Sequence, residues 1–438
     1  MSEEILPLLF FVVVILSLLL GFRVAFTLGG VSILFGMIFL GTDFLSILPM
    51  RIFGIMNNYI LIAIPLFIFM GLMFEKSGIA EELLETMALL FGKIKGGLAI
   101  SVLIVGALLG ASTGIVGATV VTMGVLTLPV MLKRGCSIEH STGIIAASGT
   151  LGQIIPPSII LVLLGSVLNV PVGDLFMAAV VPGGILVFIY FIRILIISKI
   201  KPEVFPAMSS SDLEDFQEGK IGKIIQAFLL PGALVFLVLG SIFAGIASPT
   251  EAAGVGAAGS MILALIKRKL NMENLWYVMK KTTTITSMAF MILTGATAFS
   301  LVFRELHGDR LLVELIMSAD LSLGLFLFIV LLVVFLAGFL IDFIEIIFII
   351  VPIIYPVLVH FNADLLWVGI LLAVNLQTSF LTPPFGFALF YLKGVAPEAV
   401  KTTDIYRGVI PYVIMQLLVL LLITFFPGII SFLPELLK

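Results

Sequence analysis

Residues 110–119 read Gly110-Ala111-Ser112-Thr113-Gly114-Ile115-Val116-Gly117-Ala118-Thr119. They sit in the middle of an apolar run from 98 to 132. As one straight helix, at 1.5 Å per residue, that run would exceed roughly 50 Å, against a bilayer hydrocarbon core of about 30 Å. Glycines and hydroxyl side chains at its centre are helix breakers, so the run can dip into a membrane and return. Its flanks agree: Lys93 and Lys95 precede it, Lys133 and Arg134 follow it, and basic loops stay on the cytoplasmic side. The spacing therefore predicts a re-entrant hairpin that opens to the cytoplasm.

A second run, 323–359, has the same excess length. Its centre reads Gly338-Phe339-Leu340-Ile341-Asp342-Phe343-Ile344-Glu345, and its flanks carry Asp320 and Asp364 but no nearby basic residue. It reads as a hairpin entering from outside. Other apolar runs lie at roughly 5–22, 24–40, 60–74, 141–168, 176–198, 226–246, 249–266, 284–303, 364–392 and 409–433. With the two hairpins folded back and the N-terminus outside, all of the 23 Lys and Arg fall inside except Arg51, Arg304, Arg310 and Lys438. Without the hairpins the alternation would scramble that bias.

Composition requires a lipid solvent. Hydrophobic residues make up 61% of the chain and charged residues 11%, whereas soluble domains run near 45–50% and about 25%. Mean hydropathy is +1.30. The net charge of −3 sits in loops, the single Cys136 excludes a disulfide framework, and no basic tract suggests nucleic acid. Met1-Ser2-Glu3-Glu4 lacks the positive start of a secretory leader, so the first run is expected to be a span and not a cleaved signal.

The chain also repeats itself. At one constant offset, Pro156-Pro157 recurs as Pro383-Pro384, Pro129 as Pro356, and Ala25 and Gly29 as Ala252 and Gly256. The fold class expected is an all-α polytopic membrane protein of two repeats, 1–200 and 224–438, joined by a cytoplasmic linker, 201–223. Each repeat would hold about five crossings, one hairpin (98–132; 323–359) and one Pro-Pro-broken helix (141–168; 364–392). An odd number of crossings inverts the second copy, and inverted repeats with broken helices are the mark of secondary transporters.

Four places could carry chemistry. The first hairpin tip offers free N–H groups to an anion and free C=O groups to a small hard cation. In Ser148-Gly149-Thr150-Leu151-Gly152-Gln153-Ile154-Ile155-Pro156-Pro157-Ser158 the prolines lack N–H donors, so the carbonyls of Gly152 and Gln153 are expected to be free for a cation. The counterpart, Asn375-Leu376-Gln377-Thr378-Ser379-Phe380-Leu381-Thr382-Pro383-Pro384, would free those of Ser379 and Phe380. In the second hairpin, Asp342 and Glu345 lie three apart, which puts both carboxylates on one helix face. Charges at membrane depth are costly and mark function. Ser248-Pro249-Thr250-Glu251 reads instead as a helix cap. The segments 76–95 and 304–320 look like amphipathic helices along each membrane face. His140, His307 and His360 share no metal-ligand spacing, and no His-Glu-x-x-His or Gly-x-Ser-x-Gly is present, so an enzyme is not expected.

Taken together, Gly110-Ala111-Ser112-Thr113-Gly114, Ile155-Pro156-Pro157-Ser158, Ile64-Pro65-Leu66-Phe67 and Ser248-Pro249-Thr250-Glu251-Ala252-Ala253 resemble the large membrane subunit of the tripartite ATP-independent periplasmic (TRAP) transporters. The resemblance covers essentially the whole chain. It implies an elevator-type, Na⁺-coupled importer of a small carboxylate in the bacterial inner membrane, where the charge tally puts the N-terminus on the periplasmic side. It implies two partners: a small four-helix membrane subunit, expected as a separate chain, and a periplasmic binding protein. Carried over by motif, Ser112, Thr113, Gly152 and Gln153 match one sodium site, and Gly338, Asp342, Thr378 and Thr382 the other. Pro156, Pro157, Ser158, Glu345, Asn375, Pro383 and Pro384 remain substrate or coupling candidates. Sodium is the coupling ion and no other cofactor is implied. The competing reading is a stand-alone sodium–divalent-anion symporter that needs no binding protein.

Overall fold

The computed structural model describes residues 5–207 and 220–437. Residues 208–219 of the expected linker, and residues 1–4 and 438, lie outside them.

Among the described residues the fold is all helical. The first part contains α1 (Ile5–Leu19), α2 (Val24–Phe39), α3 (Leu48–Met56), α4 (Ala63–Lys76) and α5 (Ile79–Phe91). Then come α6 (Gly97–Thr113), α7 (Val116–Lys133), α8 (Ile138–Thr150), α9 (Ile159–Leu168) and α10 (Val172–Ile200). The second part has α11 (Lys220–Phe243), α12 (Pro249–Ile266), α13 (Met272–Glu305), α14 (Gly308–Ser318) and α15 (Leu323–Ala337). It closes with α16 (Phe343–His360), α17 (Leu365–Leu381), α18 (Phe387–Val395), α19 (Thr402–Phe425) and α20 (Gly428–Leu437).

Both over-long runs break where their centres do. α6 ends at Thr113, Gly114 turns the chain at φ +60°, and α7 starts at Val116. α15 ends at Ala337 and α16 starts at Phe343. Both proline pairs fall between helices: 154–158 separates α9 from the short 3₁₀ turn Leu151–Gln153, and 382–386 separates α17 from α18. The peptide bonds Pro156–Pro157 and Pro383–Pro384 are both cis.

Three boundaries differ from the sequence reading. α11 begins at Lys220, inside the segment read as linker. The run 409–433 is two helices, because Phe426 and Pro427 separate α19 from α20. α13 runs for 34 residues and starts well before the apolar run at 284. Backbone hydrogen bonding continues a helix past the edge of its apolar stretch, and Asn271 caps this one by accepting the Asn274 N–H at 2.7 Å. Length alone therefore does not break a helix, since α13 is about 51 Å long at 1.5 Å per residue.

Seven helical stretches among the described residues are long and apolar enough to cross a bilayer: Tyr59–Lys76, Val116–Lys133, Val172–Ile200, Pro249–Ile266, Met272–Glu305, Phe343–His360 and Thr402–Phe425. Large apolar side chains such as Leu16, Phe26, Phe188, Phe236 and Leu418 are exposed, which only a lipid environment tolerates on this scale. Where helices meet, small residues let the backbones approach, as expected when lipid supplies no hydrophobic drive. α2 packs on α13 through Gly29 and Gly295, and α8 on α19 through Gly143 and Gly408. α4 packs on α12. Between α10 and α19, Arg193 donates to the Tyr412 hydroxyl at 2.8 Å and Gln416 to the Tyr190 hydroxyl at 2.9 Å.

Candidate functional site

The tip of the first hairpin is buried, and its hydroxyls bond within it. Ser112 donates to the Leu109 carbonyl at 2.9 Å, and Thr119 donates to the Ile115 carbonyl at 3.1 Å. That leaves Thr113 as the donor in its 2.8 Å contact with the Thr119 hydroxyl. The tip rests directly on the first proline-broken segment. A Cβ built on Gly152 would lie 2.5 Å from both Cα and O of Gly110, and one on Gly110 would lie 2.6 Å from the Gly152 nitrogen. Two backbones touch there because neither residue has a side chain. The fold thus joins the tip carrying Ser112 and Thr113 to the segment carrying Gly152 and Gln153.

The broken segment is less open than its prolines suggest. Ser158 donates to the Gln153 carbonyl at 2.5 Å, so that oxygen is not without a partner. In the second broken segment the Ser379 carbonyl accepts the Thr382 N–H at 3.1 Å. In both cases a nearby Ser or Thr residue supplies the donor that proline lacks. The Gln153 side chain is another matter: it is fully buried, and neither its amide nitrogen nor its oxygen has a partner. The same holds for Gln377 in the second segment.

The second half is stitched by side chain to backbone. Asn375 donates to the Leu331 carbonyl at 2.8 Å and Ser379 to that of Phe335 at 2.6 Å, which tie α17 to α15. A Cβ on Gly338 would lie 2.3 Å from the Ser379 hydroxyl, so the end of α15 meets α17 here. Thr378 bonds to the Val374 carbonyl at 2.8 Å and Thr382 to that of Thr378 at 2.7 Å. The Pro384 carbonyl accepts from Tyr406 at 2.8 Å.

Asp342 and Glu345 do not share a helix face. Asp342 is the N-cap of α16 and accepts the Phe343 N–H at 2.7 Å, while Glu345 in the first turn reaches back to the Asp342 N–H at 3.3 Å. This is a capping box, which satisfies two orphan donors of a helix start reciprocally. Ser248 and Glu251 form the same arrangement at the start of α12, as their sequence indicated.

A cavity of about 390 Å³ opens beside these elements. The first hairpin tip (Ile115, Gly117), α4, α9, α13, the Asp342 cap and Tyr391 of α18 line it. Of the residues singled out from the sequence for chemistry, Asp342 and Phe380 reach it, with Ile115, Val116, Gly117 and Ala118 of the first tip; Ser112, Thr113, Gly152, Gln153, Thr378 and Thr382 do not border it. Pro156 borders a separate apolar cleft with Phe188 and Leu239. The sequence reading missed Glu75, Tyr277 and Lys281, which supply most of the cavity's polarity. Glu75 and Lys281 were visible only as charges beside apolar or Thr-rich stretches, and Tyr277 carried no signal. Lys76 sits 4.1 Å above the Tyr277 ring. Among the described residues no group of three or more His, Cys, Asp or Glu could hold a metal.

Broken helices, a buried glycine-packed tip and a polar cavity within a lipid-facing helical shell define a membrane transporter. The fold of the Alcanivorax borkumensis YdaH transporter is similar, with a TM-score of 0.66 at 14% identity over 97% of this chain and 98% of that one. Residues 11–429 match the family described as the tripartite ATP-independent periplasmic transporter, DctM component, and the chain belongs to that family. It is 30% identical to the C4-dicarboxylate TRAP transporter large permease protein DctM of Vibrio cholerae, over 98% of this chain and 97% of that protein. It is 29% identical to the ectoine TRAP transporter large permease protein TeaC of Halomonas elongata, over 96% of each. It is 30% identical to the sialic acid TRAP transporter permease protein SiaT of Haemophilus influenzae, over 87% of this chain and 61% of that protein. Such permeases are multi-pass membrane transporters, not enzymes, and they work with a small membrane subunit and a periplasmic binding protein.

Proposed function

We propose that this chain imports a small organic anion, coupled to inward movement of Na⁺, as the large subunit of a tripartite transporter in the inner membrane. The observation that carries this reading is the cavity between the first hairpin tip, the Asp342 cap and α13. Relatives named for C4-dicarboxylate, sialic acid and ectoine point to organic acids or zwitterions as cargo. Membership of a tripartite family favours the partnered reading over a stand-alone symporter.

The coupling ion would use two sites: Ser112, Thr113, Gly152 and Gln153 in one, Gly338, Asp342, Thr378 and Thr382 in the other. Three observations support this. A hydroxyl that donates one hydrogen bond keeps lone pairs for a cation, so internal bonding does not disqualify Ser112 or Thr113. The Gly110–Gly152 contact brings the first set together. Gln153 keeps a buried amide oxygen with no protein partner, and buried polar atoms are normally satisfied.

The motion would be an elevator-like slide of the hairpins and broken helices against α13, with the two halves as inverted repeats and the N-terminus outside. The helix pairing supports the repeat. Under the offset that relates the proline pairs, α2 becomes α12 and α4 becomes the C-terminal part of α13. The pairs α2–α13 and α4–α12 therefore exchange with each other. The test is uptake into proteoliposomes holding the whole complex with its binding protein. A sodium gradient should drive accumulation, and a proton gradient alone should not. Equal uptake without sodium would refute the coupling.

A further inference from the structure

A second cavity, of about 400 Å³, lies along the same interface. Three helices that wall the first cavity wall this one too, one turn further on: α9 passes from Leu163 to Ser166, α13 from Ala289 to Leu293, and α16 from Ile344 to Phe348. The second cavity therefore lies further along these three helices than the first. Their polar ends differ. The first has Lys281 with Glu75 and Asp342. The second has two guanidinium groups, Arg51 from α3 and Arg304 from the last turn of α13, with Ser300, Thr297 and Tyr355 beside them and one carboxylate, Glu305. Neither arginine is in an ion pair among the described residues. Lys281 and Arg304 are separated by about 35 Å of helix at 1.5 Å per residue, enough to cross the hydrocarbon core of about 30 Å.

We infer that this second cavity is an anion-receiving site, in which Arg51 and Arg304 bind the carboxylate of the cargo on the face opposite Lys281. Two arginines brought from separate elements to one pocket offer two guanidinium groups, each able to bind a carboxylate in bidentate fashion. Helix-end complementarity explains Arg304 alone but not Arg51, which comes from α3 and faces the same space. The inference rests on the transporter reading above for which face is outside; the pocket itself does not depend on it.

The test uses a reporter cysteine, Ser300→Cys, in the complete complex in sealed right-side-out vesicles. The native Cys136 is buried and gives little background. A membrane-impermeant maleimide should label Cys at 300 from outside. Succinate, glycolate or gluconate should slow the labelling, and glycerol should not. Arg51→Gln with Arg304→Gln should raise the half-protecting carboxylate concentration about tenfold or more, and tenfold corresponds to about 1.4 kcal/mol. Arg310→Gln, at an exposed arginine outside both cavities, should leave it unchanged. If the glutamine pair does not reach the membrane, a salt series replaces it: protection must weaken as ionic strength rises. Labelling from outside that no carboxylate slows, or protection equal in the glutamine pair, overturns the inference while leaving the transporter reading intact. Labelling only from the cytoplasmic side overturns the assumed orientation as well.

Discussion

The Gly110–Gly152 contact makes the most specific demand on the chain, and Gly152→Ala tests it. A Cβ at 152 would stand 2.5 Å from the Gly110 Cα. Carbon atoms prefer about 3.5–4.0 Å, so the shortfall is about 1 Å. The obstructing atoms are backbone, with no side chain to rotate away, so the tip and the broken segment must separate. Overpacking of this kind costs about 1–3 kcal/mol. The same change at Gly184 of α10 meets nothing within 4 Å and should gain about 0.5–1 kcal/mol from helix propensity. The two alanines should thus move detergent thermal stability in opposite directions. If the contact also assembles a sodium site, Gly152→Ala raises the sodium concentration that half-activates uptake, and Gly184→Ala does not. Gly152→Ala with wild-type stability and wild-type sodium activation would refute both the packing argument and the site.

Asp342→Asn should keep the α16 cap, because Asn caps as well as Asp, so melting should shift little while sodium-driven uptake falls sharply; unchanged uptake removes Asp342 from the ion site. Ser248→Ala breaks the α12 capping box and should cost about 1 kcal/mol without changing uptake, as read by melting and transport together. Burial pushes the Cys136 thiol up to about 11, so maleimide should label it slowly in the folded protein at neutral pH and quickly after denaturation in SDS. The folded-state rate should climb as pH rises toward that value, because only the thiolate reacts; fast labelling of folded protein at pH 7 would contradict the buried placement.

How much was legible follows from what lipid does to sequence. A span needs an unbroken apolar stretch, so helix positions and the breaks at Gly114 and the two proline pairs stood out against it. Lateral packing leaves a fainter mark, because a lipid-facing side and a helix-facing side are equally apolar. The contacts Gly29–Gly295 and Gly143–Gly408 are written only in missing side chains, and no periodicity points from one partner to the other. Lys281 was visible as a charge, but nothing in the residues around it says that it lines one cavity with Asp342.

Asp342 shows the same limit from another side. Ser248-x-x-Glu251 and Asp342-x-x-Glu345 carry one signature, a capping residue with a glutamate three positions on before an apolar run. The first reads as a cap and the second as a functional charge pair only because membrane depth makes a carboxylate suspicious. Both are caps in the structure. The two roles are compatible at Asp342, since a carboxylate oxygen has more than one lone pair and the residue that caps α16 through the Phe343 N–H also lines the cavity. A carboxylate already desolvated and held in place to start a helix costs little more to offer to a cation. A broken helix in a membrane can thus be a structural solution and serve the proposed ion site at once, and Asp342→Asn, which preserves the first role and removes the charge, separates them.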